Sequence, residues 1–305
     1  MSASESLPII FLILLIGFVC QQKKLFTQVQ IDGFALFLYK IGTPCFLFSS
    51  IVRQDFSKLF NTGYISSYIL TFLIMAVGIT FIYKKQEKQE ICIKILASSY
   101  ANTSIYIIPA TALILGDPSA GIMSNILQVI VIQTIFIIIL NLFYHKEKYI
   151  LRKLFQIIST PLVMIPILAV VLNIFQMNPH PVMLSVIQKL GVGTPALGLF
   201  TFGLTLGSID LKNTRFTKEV LWIVLFKNAI HPLIGFIVGK YIFELNGYWL
   251  YSLIIATSAP TAFVVYILGQ QFSKNPHWIK TVLALTSIIS TLSLIMISLM
   301  KDILG

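Results

Sequence analysis

Long apolar runs recur along the whole chain, each set off by a short cluster of charged residues. A helix needs about 20 mostly apolar residues to cross the hydrocarbon of a bilayer. The pattern predicts ten such helices, at roughly 5–22, 32–52, 62–83, 92–116, 119–143, 155–176, 185–208, 219–243, 248–270 and 277–300. The longest polar stretches between them, Lys84–Glu90 and His145–Lys153, are too short to be domains and are expected to be solvated loops. The fold class expected is therefore an all-α integral membrane protein, a single membrane domain over residues 1–305. Leu7 to Cys20 resembles a signal-peptide core, but Glu5 is the only charge before it and no small-residue cleavage site precedes Cys20. It is expected to stay as the first helix.

Composition sharpens this picture. The chain is 57% hydrophobic and 11% charged, with a mean hydropathy of +0.89. Soluble domains carry roughly 25% charged residues, so soluble enzymes, nucleic-acid binders and disordered adaptors are excluded. The net charge of +11 does not point to nucleic acid, because the basic residues fall in the short loops. With the N-terminus outside, 13 of them lie in inside loops: Lys23, Lys24, Lys84, Lys85, Lys88, Lys146, Lys148, Arg152, Lys153, Lys212, Arg215, Lys218 and Lys274. Only 4 lie outside: Arg53, Lys58, Lys240 and Lys301. Cytoplasmic loops collect Lys and Arg, so both termini are expected outside a cell membrane. Cys20, Cys45 and Cys92 show no pairing pattern and the four histidines are scattered, so neither a disulfide framework, a metal site nor a cofactor is expected. The chain has no HExxH, P-loop or GxSxG motif and is not expected to be an enzyme.

The two halves echo each other. Gly42-Thr43-Pro44 recurs as Gly193-Thr194-Pro195, Pro8 and Pro161 open the first and sixth helices, and Asp117-Pro118 is matched by Asn275-Pro276. Residues 1–150 and 151–305 thus read as two five-helix repeats. Five is odd, so the second must enter the membrane from the opposite side. Inverted repeats of this kind are a mark of secondary transporters, which bind substrate near the midplane on interrupted helices.

The fourth and ninth helices are the interrupted pair. The fourth carries Asn102, Thr103, Ser104, Tyr106 and Pro109 in mid-span, and the ninth carries Thr257, Ser258, Pro260 and Thr261. Proline removes a backbone donor, and lipid offers no replacement partner. If the breaks cross, half-helix N-termini converge, and such ends favour a carboxylate. A proline kink capped by Ser and Thr is the plainer alternative. Asn125, Gln128 and Gln133 follow on the fifth helix and either reach the same cavity or merely join helices. Lys94 and Lys280, near helix ends, are expected to snorkel. Lys40 and Lys189 precede the two Gly-Thr-Pro kinks. Lys227 is the deepest, with His231 and Pro232 after it. It could neutralise an anionic substrate, couple transport to a proton together with His231, or cap kinked carbonyls. All 11 acidic residues lie in loops or near helix ends, which disfavours a carboxylate-built sodium cage.

These residues resemble the auxin efflux carrier family, which includes plant PIN-type carriers and bacterial malonate or malate permeases. Ala101-Asn102-Thr103 with Ile108-Pro109 and Gly116 is similar to the family's Pro-Asn-Thr…Ile-Pro…Gly run. The segment from Gln128 to Gln133 is similar to a two-glutamine pattern, Lys227 to His231-Pro232 to a Lys-x-x-x-His-Pro run, and Ala259-Pro260-Thr261 to a crossover proline. The resemblance implies a 5+5 inverted repeat with the fourth and ninth helices broken and crossing, a homodimer, a scaffold of the first, second, sixth and seventh helices, and a moving transport unit. It also implies that Asn102, Gln133 and the Pro260 region line the substrate site. The candidate binding set is then Asn102, Thr103, Gln128, Gln133, Lys227, Pro260 and Thr261, with the breaks at Ala101, Pro109, Ala259 and Pro260. One departure stands out: Ala101 replaces the first crossover proline, so the first break is expected to be softer or to rest on Asn102 and Pro109. The activity expected is export of a small organic anion by elevator-type alternating access. A sodium-coupled symporter of the bile-acid-carrier type and a membrane sensor that keeps the fold without transport are the alternatives.

Overall fold

A computed structural model describes residues 3–52, 60–143, 159–177, 179–208 and 217–304. Among them the chain is helical throughout, apart from turns and one isolated antiparallel bridge between Ala101 and Thr261. Six stretches are long and apolar enough to cross a membrane: Gln28–Val52, Thr62–Ile82, Ser119–Leu140, Pro181–Gly207, Lys218–Ile242 and His277–Ile297. Four shorter apolar helices, Phe11–Gln22, Thr103–Leu115, Met164–Ile174 and Phe263–Phe272, fall in the remaining expected intervals. The basic residues at 53, 58, 146, 148, 152, 153, 212 and 215 lie outside the described residues.

Local chemistry explains most helix starts. Asn61 accepts from the Tyr64 N–H, Thr217 from Val220, and Thr27 forms a reciprocal capping box with Gln30. Pro161 opens its helix as expected, whereas the first helix starts before Pro8, at Ala3. Prolines also leave a mark inside helices. The wide π turns 38–42, 103–107 and 226–230 each end two residues before a proline, Pro44, Pro109 and Pro232 respectively. A proline cannot donate to the carbonyl four residues back and its ring pushes that carbonyl away, so the preceding turn opens to the i→i+5 pattern.

The helices pack in two groups. Ala3–Gln22 lies along Thr194–Gly207, while Pro161–Ile174 and Pro181–Gly191 lie against Thr43–Val52. The first of these contacts is a backbone-to-backbone approach. A Cβ on Gly17 would sit 2.3 Å from the Phe200 carbonyl oxygen, and one on Gly203 would sit 2.3 Å from that of Leu14. Small residues give membrane helices this closeness. The second group joins Thr62–Ile82, the broken segments, Lys218–Ile242 and the C-terminal helix.

Two expectations about charge are corrected. The 84–90 segment is exposed from 84 to 88, as expected, but it is not all loop: Lys88 already starts a helix. Glu90 accepts from the Lys274 amide at 2.7 Å and from the Ser273 hydroxyl, and Glu87 pairs with the Lys274 ammonium. That places the 84–90 and 273–276 turns at one end of the bundle. Lys94 does not snorkel either. It is 3% exposed, its Nζ lies 2.7 Å from Glu219, and it bonds Gln86. The rings of Tyr83 and Trp278 flank it at 5.1 and 5.6 Å. A short aliphatic reach to water lost to a carboxylate already at hand in the next helix.

Candidate functional site

Two helices are interrupted at mid-course, and their breaks meet. Lys88–Ser99 ends in an extended triplet, residues 100–102, before Thr103–Leu115 continues. Gly247–Ser258 ends in a second extended segment, residues 259–262, before Phe263–Phe272. The segments run antiparallel: Asn102 N donates to Pro260 O at 2.8 Å, and Ala262 N donates to Tyr100 O at 3.2 Å. Gly116, in the left-handed conformation at φ +77, closes the first broken helix.

Breaking a helix frees backbone groups that must find partners where water is scarce, and several find them here. Gln128, fully buried, accepts from Ala101 N at 2.6 Å and donates to Ala101 O at 3.0 Å. Thr261 N donates to the Thr286 hydroxyl, and the Thr261 hydroxyl donates to Ala97 O at 2.7 Å. Asn102 caps the outgoing half-helix by accepting from Ile105 N. The break at Ala101 therefore needs no proline, because the Ala101 N–H is itself clamped. Pro109 is not part of this break: it lies in the half-helix beyond, between two π turns.

Gln128 and Gln133 reach the same break because of an irregularity. Five residues apart, they would point about 140° from each other on an ordinary α-helix. The segment Leu127–Gln133 is a π-helix, whose i→i+5 turn brings such positions onto one face. Gln133 accepts from the Tyr100 hydroxyl at 2.7 Å, one residue before the Ala101 clamp.

The predicted residues now separate by role. Thr103 is buried and donates to Asn125 at 2.6 Å. Ala101, Ala259, Pro260 and Thr261 are buried in the crossing. Gln128 has both ends of its amide committed. Asn102 and Gln133 differ, being only partly buried. Each accepts a hydrogen bond with its side-chain oxygen, Asn102 from Ile105 N and Gln133 from the Tyr100 hydroxyl. Close by, Phe263–Phe272 begins without a side-chain cap, and of its first N–H groups that of Val265 donates back to Ala262 O, so no side chain offsets the positive end of its dipole.

Lys227 is fully buried in the π turn 226–230. Its Nζ lies 3.2 Å from His231 Nδ1 and 3.4 Å from the Thr257 carbonyl oxygen. Thr257 belongs to the last turn of Gly247–Ser258, where carbonyls carry the negative end of the helix dipole. The ion pairs among the described residues belong to Lys94 and Lys274, so Lys227 faces a helix end and not a carboxylate. Gly235 holds this approach close, since a Cβ there would come within 2.8 Å of the Thr257 methyl.

Asn228, Thr286 and Ser290 also support the crossing and were not singled out from the sequence. Asn228 donates to the Ser290 hydroxyl at 2.8 Å and toward Thr286 O, while the Tyr106 hydroxyl donates to Ser290 O at 2.6 Å. Thr286 and Ser290 stand one turn apart on the C-terminal helix, within the polar steps Thr286-Ser287 and Ser290-Thr291.

The family model for membrane transport proteins matches residues 2–298. No curated protein matches the chain.

Proposed function

This chain belongs to the membrane transport protein family, the auxin efflux carrier family that its motifs resemble, and from that premise we propose that it is a secondary carrier exporting small organic anions by elevator-type alternating access. The observation that carries the reading is the antiparallel meeting of the two broken helices beside Asn102 and Gln133. A carboxylate there would take hydrogen bonds from the Asn102 and Gln133 amides and from the uncapped N-terminus of Phe263–Phe272. Thr103, Gln128, Pro260 and Thr261 act as the frame that holds those donors, not as direct ligands. Lys227 gives the crossing a positive charge, either static or, with His231, exchanging a proton during the cycle. An organic anion leaving a negative-inside cell gains roughly 2.3 kcal/mol per charge at 100 mV, so the membrane potential alone can drive export.

The larger plan follows the same reading. Ten spans form two inverted repeats, 1–150 and 151–305, in a homodimer in the cell membrane with both termini outside. The packing of Ala3–Gln22 along Thr194–Gly207, and of Thr43–Val52 against Pro161–Ile174, supports their role as scaffold. The broken helices and their partners then move as the transport unit.

Charge movement in proteoliposomes on a solid-supported membrane tests this, with a panel of mono- and dicarboxylates that includes an indole acid. Wild type should give currents with a subset of anions in sodium-free buffer. Asn102→Ala and Gln133→Ala should each lose them, by about tenfold or more for one lost charge-assisted hydrogen bond. Wild-type behaviour of both variants would overturn the site, and currents appearing only with sodium would overturn the driving force.

A further inference from the structure

A groove of about 540 Å3 opens between the end of Thr62–Ile82 and the start of Lys218–Ile242, lined by Ile82, Tyr83, Gln86, Glu219, Trp222 and Phe226. It lies at the end of the bundle where the 84–90 turn meets the 273–276 turn. Its outer wall is open sideways, since Ile82 and Trp222 are 52% and 54% exposed. Trp222 and Phe226 stand one turn apart with ring centroids 6.2 Å from each other, forming an apolar lane along the helix.

The charges around this lane that lack an ion-pair partner are basic. Lys84 and Lys85 lie between the lining residues Tyr83 and Gln86, and Lys218 directly precedes Glu219; all three are exposed. None has an ion-pair partner among the described residues. The acids nearby are already matched, Glu219 by Lys94 at 2.7 Å and Glu87 by Lys274. The mouth of the groove is thus positive and its walls are apolar and aromatic, as at a membrane interface.

We propose that this groove binds an anionic phospholipid of the surrounding leaflet, with its phosphate at Lys84, Lys85 and Lys218 and one acyl chain along Trp222 and Phe226. Lysines at a membrane surface attract anionic headgroups additively, and the apolar lane holds the chain against lateral exchange. The lipid would join the turn leading into Lys88–Ser99 to the helix that carries Lys227, and so tie together the two elements that flank the crossing. This inference rests on the chain spanning a membrane and is independent of what it transports.

Native mass spectrometry of the full chain released from detergent tests it, with phosphatidylglycerol, phosphatidylcholine and phosphatidylethanolamine of identical chains added in turn. Wild type should retain phosphatidylglycerol over the other two by on the order of tenfold. The triple variant Lys84→Gln/Lys85→Gln/Lys218→Gln should lose that preference, while Lys23→Gln/Lys24→Gln, at a different basic turn, should keep it. Trp222→Ala should weaken all three lipids alike. Excess soluble glycerophosphate should not displace the bound lipid, because it has no chain to fill the lane. Equal retention of all lipids by wild type would overturn the proposal. So would a triple variant that retains phosphatidylglycerol as wild type does, or a second copy of the chain found in the groove in its place. None of these readouts depends on transport, so failure here leaves the carrier reading to its own test.

Discussion

At Ala101 the chain keeps a backbone N–H where the resembled pattern has proline, and Gln128 accepts from it. One amide side chain satisfies both the N–H and the carbonyl of a residue with no helix to belong to. Gln128→Leu strands both groups in a buried setting and should cost on the order of 2–4 kcal/mol. Ala101→Pro strands only the Gln128 oxygen and should cost less, about 1–2 kcal/mol. Because both changes delete the same bond, the double variant should be more stable than the sum of the two losses implies, by about 1 kcal/mol. Thermal or denaturant unfolding in a fixed detergent checks this, and strict additivity would contradict the clamp. The sequence marked Gln128 and Gln133 as a pair but not their division of labour. That division depends on a π turn, which no spacing rule for an ordinary helix anticipates.

Among the elements, the crossing of Ala3–Gln22 and Thr194–Gly207 brings two backbones together. Gly17 and Gly203 each face a carbonyl oxygen of the other helix at a distance that no Cβ tolerates. Gly203→Leu should therefore separate the helices and abolish monodisperse folded protein on size exclusion. Gly78→Ala is the matched control: a Cβ at Gly78 meets nothing within 4 Å in the middle of Thr62–Ile82. It should leave the protein as stable as wild type or firmer by about 0.5–1 kcal/mol, through helix propensity alone. Equal outcomes for the two would remove the close crossing as an organising contact. The prolines act at this scale too. Pro44, Pro109 and Pro232 widen the turns before them without ending their helices, whereas the true breaks come where two chains of backbone can pair with each other.

Across the whole molecule, Lys94 and Glu219 join the first broken helix to the helix that bears Lys227. The pair is lopsided, with the lysine side chain 4% exposed and the glutamate side chain 36% exposed. Glu219→Leu leaves a buried ammonium with the Gln86 side chain and two rings, and should cost on the order of 2–3 kcal/mol. Lys94→Met leaves a carboxylate that can reach water, and should cost about 1 kcal/mol or less. Paired melting curves in one detergent test the order of the two losses. A larger loss for Lys94→Met would mean that the groove above Glu219 is drier than its open wall implies.

Apolar runs and the polar residues in mid-span by themselves determined that this is a helical membrane protein and which two of its helices are interrupted. Those signals are local, because a run of apolar residues must be covered by lipid or protein wherever it folds. The crossing of the two breaks was implied by the resemblance, but its register across some 160 residues, with Ala101 opposite Thr261, came only from the tertiary structure. So did the sorting of polar residues into frame and open site, the burial of Lys94, and the placing of Lys227 against the end of a half-helix. Each depends on which groups remain unsatisfied once helices are packed, and that balance belongs to contacts between distant segments and not to any one of them.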